Sequence, residues 1–89
     1  MEGYIYIIQS EKNKRYYIGS TNDIDRRIRE HNIGKSKYTS ESLPWKLMFS
    51  QKYLNLTIAR KAEYWLKRQK DADFISRLII DRKIIKNFG

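Results

Sequence analysis

Two tyrosines, an arginine, a histidine and a glutamate carry the chemistry this sequence has to offer. Tyr6 sits in the apolar run GYIYIIQ, and Tyr17 in the run RYYIG that follows a short charged turn. Arg27 and the chain's only histidine, His31, stand four residues apart in the next segment. Glu63 comes later, within ARKAEYWLK. Phenol oxygens can move protons, a guanidinium can stabilise charge on a phosphoryl group, and a carboxylate is an oxygen ligand for a hard divalent ion. Taken singly, each residue has a plainer reading. Tyrosines suit strands, arginines suit helices, and Glu63 can simply pair with Lys67 one turn further on. Only convergence on one patch would make them a site.

The elements that must position them can be read from side-chain periodicity. Gly3 to Gln9 and Arg15 to Gly19 are β-rich runs around the polar turn SEKNK, so they are expected to form an antiparallel hairpin. Faces alternate at every residue, so about half of the possible registers put Tyr6 and Tyr17 on the same face. Asn22 is placed to cap a helix beginning at Asp23. On a 3.6-residue period Ile24, Arg27, Ile28 and His31 share one stripe, and the apolar pair turns that stripe toward the protein. Arg26 and Arg29 fall outside it and read as solvated charges.

Residues 33–44, IGKSKYTSESLP, read as a loop stopped by Pro44. Its Lys35, Lys37 and Tyr38 suit gripping a phosphate backbone or stacking on a base, although an ordinary surface loop has the same composition. Trp45 to Tyr53 is a third strand. Asn55 or Thr57 can cap a helix through about Lys70, with Ile58, Ala59, Ala62, Trp65, Leu66 and Gln69 inward and Glu63 on the border of that stripe. A third helix is expected from about Ala72 to Ile85, capped by Asp71, with Phe74, Ile75, Leu78 and Ile85 inward. The order β-β-α-β-α-α describes a small α+β fold, a three-stranded antiparallel sheet flanked by helices, as a single domain over residues 1–89.

Composition bounds the function classes. Hydrophobic residues make up 40% and charged residues 33%, as in an ordinary globular chain. No apolar run approaches the roughly 20 residues needed to span a bilayer, and the start MEGYIYII lacks the features of a signal peptide. There is no cysteine, which excludes disulfides and thiolate metal sites and fits a reducing, cytoplasmic setting. One histidine cannot build a zinc site of the usual kind, so any bound metal would be held by oxygen. The net charge is +9, and the excess is uneven. Residues 1–33 hold six basic and five acidic side chains, and residues 34–89 hold thirteen and five. With a pI near 9.9, this is the electrostatic footprint expected of a nucleic-acid partner, with solubility or a weak attraction to anionic membranes as plainer readings.

Two short motifs, Tyr4-Ile5-Tyr6 and Tyr17-Ile18-Gly19, resemble the paired motif of the GIY-YIG nuclease superfamily. The stretch from Gly19 to Asn32 is similar to the first helix of its small standalone members, GKSKYTS to their basic loop, and ARKAEYWLK to the helix that supplies a metal-binding glutamate. The likeness runs from Gly3 to about Lys70 and extends to the N-terminal nuclease domain of the repair excinuclease. It departs in two places. Tyr4 stands where the family name has its first glycine, with Gly3 one place earlier, and no position matches the asparagine that some members carry near the C-terminal part of the site.

The resemblance implies a metal-dependent endonuclease that hydrolyses phosphodiester bonds in DNA, selective for structure and linked to repair. Tyr6 and Tyr17 would then be the catalytic tyrosines, with Tyr6 the preferred proton acceptor. Arg27 would stabilise the phosphate, His31 would belong to the same site, and Glu63 would hold one Mg²⁺ or Mn²⁺. Gly19 would close the second strand where bulk would intrude. Cationic surroundings or the metal would have to lower the phenol's pKa of about 10, and Arg27 and His31 nearby would help. Lys35, Lys37, Tyr38 and Lys67 would contact DNA, with RNA as an alternative partner. A protein partner, a monomer or weak dimer, a module that binds nucleic acid with weak or no turnover, and an accessory subunit that delivers a partner to DNA remain open alternatives.

Overall fold

The computed structural model describes residues 2–69 and 71–89. Its elements follow the expected order. Strand β1 is Gly3–Ser10, β2 is Tyr16–Thr21, helix α1 is Ile24–Asn32, strand β3 is Trp45–Tyr53, α2 is Leu56–Gln69 and α3 is Ala72–Asp81. A single 3-10 turn, Ser40–Ser42, interrupts the loop before β3. The expected end of α2, Lys70, lies outside the described residues.

β1 is the central strand of an antiparallel sheet ordered β2-β1-β3. It has neighbours on both edges and helices on both faces, which is why six of its eight residues are buried. Ile5 and Ile7 point to one face and pack with Phe49, Ala62, Leu66, Ile75 and Leu78 beneath α2 and α3. Tyr6 and Ile8 point to the other, where Trp45, Tyr17, Ile24, Ile28 and Leu43 cover them from α1 and its loop. The register pairs Tyr6 with Gly19 and Ile8 with Tyr17, so the two tyrosines share the α1 face. Ser20 pairs with Ile5 and therefore faces α2.

Gly3 decides how α2 docks. A Cβ there would come within 2.5 Å of the Leu56 Cα and 2.7 Å of the Asn55 carbonyl, so only glycine lets the start of α2 lie directly against β1.

Three local expectations change in detail, and a fourth, left open between two residues, is decided. The α1 cap is Asp23, whose side chain accepts the Arg26 N–H, while Asn22 instead accepts from the Arg26 guanidinium. Strand β2 begins at Tyr16 and continues to Thr21, because the side chain of Asn13 holds the Arg15 N–H in the turn. Asn55 rather than Thr57 caps α2, by accepting the Ile58 N–H. Helix α3 stops at Asp81, where Arg82 turns left-handed at φ 62°, so Ile85 is 89% exposed instead of inward. The tail after α3 has no regular secondary structure. Gln51 of β3 clamps the Ile84 backbone through both its amide atoms, which sends Ile84 into the core and its neighbour outward.

Candidate active site

The catalytic candidates meet around the edge strand β2. From the α1 side come Tyr6, Tyr17, Arg27 and His31, and from the α2 side Glu63 and Lys67, with β2 between them. Edge position is what allows this. Two faces of one sheet can address a common point only where the sheet ends.

Gly19 makes room for the centre of the group. The Tyr6 ring lies across it, and a Cβ on residue 19 would sit 2.6 Å from the Tyr6 Cζ. The expected need for a small residue here has this specific cause. The Tyr6 and Tyr17 ring centroids are 6.4 Å apart, and Tyr17 meets His31 edge-on at 5.0 Å.

His31 is fully buried and held at both ring nitrogens. Its Nε2 is 2.9 Å from the Tyr6 hydroxyl and its Nδ1 is 2.9 Å from the Thr39 hydroxyl. Thr39 in turn donates to the Ser36 carbonyl, so its oxygen is free to accept from His31 Nδ1–H. That assigns the neutral tautomer in which Nε2 accepts the Tyr6 proton. Burial, reinforced by repulsion from Arg27, lowers the His31 pKa to about 4. Tyr6 moves the other way. Burial pushes its phenol up to about 12, outweighing the opposing pull of the Arg27 guanidinium. Of the two groups expected to help lower the phenol, Arg27 does pull it down, but His31 is neutral and desolvation dominates.

A depressed histidine has a consequence for stability. Between roughly pH 6.5 and 4 the unfolded chain takes up a proton at this residue that the folded chain refuses. Its contribution is full above the unfolded value, falls as pH drops through that window and is flat below about 4. The difference is worth on the order of 3 kcal/mol. Because His31 is the only histidine, its ring protons give one proton-NMR titration, expected to have its midpoint near pH 4. A midpoint near 6.5 would show that water reaches the ring and that the Tyr6–His31–Thr39 chain is open.

Arg27 is 29% exposed and pairs with Glu30, three residues on, at 3.0 Å. Its guanidinium is close enough to both tyrosines to interact with them electrostatically. Glu30 also takes Arg26 at 3.9 Å and Lys35 at 3.5 Å, which frees Arg27 to change partner without stranding the carboxylate.

Glu63 is held from two sides. Ser20 of β2 donates to its Oε1 at 2.5 Å, and Lys67 lies 2.7 Å from its Oε2. The pairing with Lys67 anticipated from spacing is present, and the bond to Ser20 ties the carboxylate to β2, near enough for its charge to act on the Tyr6 phenol. The Lys67 ammonium is also 5.9 Å from the Tyr17 ring centroid. Among the described residues no three His, Cys, Asp or Glu side chains cluster. A single partly exposed carboxylate fits Mg²⁺ or Mn²⁺, ions that take one or two protein carboxylates and complete their shell with water and substrate phosphate, provided the ion displaces Lys67.

Of the other residues singled out in sequence, Tyr38 stands 80% exposed beside Tyr17 at 6.2 Å, Lys35 pairs with Glu30, and Lys37 is exposed in the same loop. Ser20 and Thr39 are additions that the structure makes to the group. Ser20 directly follows the second motif, but the sequence names no partner for it. Thr39 carries no sequence signal, since its burial depends on folding of the 33–44 loop. Asn32 bonds both backbone groups of Trp45, and the Trp45 indole donates to the Thr39 carbonyl, which fixes that loop under His31.

The chain matches a catalytic domain of known type. The model of the GIY-YIG catalytic domain matches residues 2–75, and the chain belongs to the GIY-YIG family. Within it, the chain resembles the UPF0213 proteins. One from Streptococcus pneumoniae serotype 4 is 41% identical over 70 residues, covering 78% of this chain and 70% of that one. The UPF0213 protein YsiG of Lactococcus lactis is 35% identical over 88 residues, covering 93% and 84%. The solution NMR structure of the UPF0213 protein BH0048 from Bacillus halodurans is similar in fold. It aligns with a TM-score of 0.51 at 34% identity, covering 85% of this chain and 84% of that one. No helix among the described residues is long and apolar enough to cross a membrane.

Proposed function

We propose that the protein is a divalent-metal-dependent endonuclease hydrolysing phosphodiester bonds in DNA. The observation that carries this reading is the convergence of Tyr6, Tyr17, Arg27 and the Ser20-oriented Glu63 around one sheet edge. Simple binding requires no such set. Glu63 would hold the ion, which supplies Lewis-acid stabilisation of the leaving oxygen. Arg27 would leave Glu30 for the phosphate and stabilise its developing charge. Tyr6 donates its proton to His31 Nε2, so its oxygen is left as an acceptor for the attacking water. As water gives a proton to Tyr6, Tyr6 passes its own to His31, and no charge builds on the phenol. Pairing of Arg27 with the phosphate removes the repulsion that depresses His31, so the imidazole becomes a better base when substrate is present.

One observation favours a module that binds without turnover. The Lys67 ammonium already occupies the Glu63 carboxylate, as a permanent cation would. The test is incubation with duplex, branched and single-stranded DNAs in Mg²⁺, Mn²⁺ or chelator. Cleavage only with metal supports the nuclease. Binding without cleavage in every metal supports the module.

Both readings share a phosphate-contacting surface, so affinity should depend on salt. Binding is expected to weaken at least about tenfold between roughly 50 and 200 mM salt. Affinity unchanged over that range, followed by fluorescence anisotropy, would show that the positive charge does not meet phosphates.

A further inference from the structure

We infer that the groove beside Tyr17 receives one unpaired nucleotide next to the phosphate being cut, so that the preferred substrate carries a single-stranded stretch. This rests on the nuclease reading of the neighbouring site.

The groove is lined by Arg15, Tyr16, Tyr17, Ile18, Tyr38 and Lys67 and encloses about 500 Å³, within the range of small-ligand pockets. It is continuous with the catalytic group, since Tyr17 and Lys67 belong to both. Its walls are of two kinds. Arg15 and Lys67 are cations at the rim, suited to the phosphates on either side of a nucleotide. The tyrosines supply aromatic surface. Tyr17 is fixed, wedged edge-on against His31 and Trp45 and overlain by Lys67. Tyr38 is different. It projects from the basic loop at 80% exposure, tilted 51° from Tyr17, with most of its ring open to a ligand.

An exposed ring flanked by cations is a stacking platform for a base. A base inside a duplex already has both faces covered by its neighbours. It can reach Tyr38 only by leaving the stack, which is least costly in a single strand, a flap or a frayed end.

The test uses the whole protein in chelator, where no cleavage occurs, so its outcome is independent of whether the nuclease reading succeeds. Fluorescent oligonucleotides of one length are compared as DNA single strand, RNA single strand and DNA duplex at one salt concentration. The single strands should bind more tightly than the duplex. Tyr38→Ala should weaken single-strand binding about tenfold while leaving duplex binding nearly unchanged, and Tyr38→Trp should restore it. Equal binding of DNA and RNA single strands supports the inference, because a base face carries no sugar signal. A 2-aminopurine in the strand should be quenched by the wild type and less so by Tyr38→Ala. Tighter binding of the duplex, or an equal loss for all three ligands in Tyr38→Ala, overturns it.

Discussion

Arg27→Met is expected to lower the rate of DNA cleavage roughly 100-fold, the usual size of effect when one donor to a developing negative centre is removed. The fold should survive. Arg27 pairs with Glu30 of its own helix at a partly exposed position, and such pairs contribute about 1 kcal/mol at most. Glu30 keeps Arg26 and Lys35. The melting temperature should therefore fall by no more than a few degrees. Arg27→Lys keeps the charge but loses the planar fork, so it should recover only part of the rate. The variant also carries an internal reporter. Arg27 helps to depress His31, so removing it should raise the midpoint of the histidine titration. Full activity in Arg27→Met would remove the guanidinium from the site.

Gly3→Ala is expected to destabilise the protein by about 3 kcal/mol, although it adds one methyl far from any catalytic atom. That methyl would meet the backbone of Asn55 and Leu56 at 2.5 to 2.7 Å, and backbone cannot swing aside as a side-chain tip can. For a domain of this size, the loss corresponds to a fall in melting temperature of more than about 10 °C. The physical link to function runs through α2. If its first turn is pushed off β1, the helix that carries Glu63 shifts relative to Ser20, and the carboxylate loses its aim. Differential scanning calorimetry gives the stability directly. A change under about 2 °C would mean that α2 docks without needing that close approach.

The strands and helices are legible in the sequence because periodicity is local. The alternation in GYIYIIQ, the stripe of Ile24, Ile28 and His31, and the Ala59–Ala62–Leu66 face all record which side is buried. Whether Tyr6 and Tyr17 share a face is open in sequence, since register depends on the sheet as a whole. The structure resolves it through Tyr6 opposite Gly19, the one residue that leaves space for the ring. Periodicity puts Ile85 inward, but the helix ends before Arg82, and Gln51, more than thirty residues away, captures Ile84. Thr39 is invisible for a similar reason. The loop has no period, and its shape depends on Ser10 donating to Ser42 and on Asn32 holding Trp45. The protonation states are the least legible feature. Whether a histidine beside an arginine is charged depends on water access, and burial here drives His31 neutral and Tyr6 upward. That reverses the direction anticipated for the phenol, and in the proposed mechanism a two-residue proton path takes the place of a simple base.

The central claim is that Glu63 holds the metal for cleavage. It is tested most directly by nicking of supercoiled plasmid in increasing Mg²⁺, by the wild type and by Glu63→Gln with matched melting temperatures. Glutamine preserves the shape and can still accept from Ser20, but it has no charge to hold a divalent ion. The wild type should nick with saturating dependence on Mg²⁺ and stop in chelator, whereas Glu63→Gln should lose at least about 100-fold at every concentration. Equal nicking by both proteins, or nicking that persists in chelator, would contradict the account.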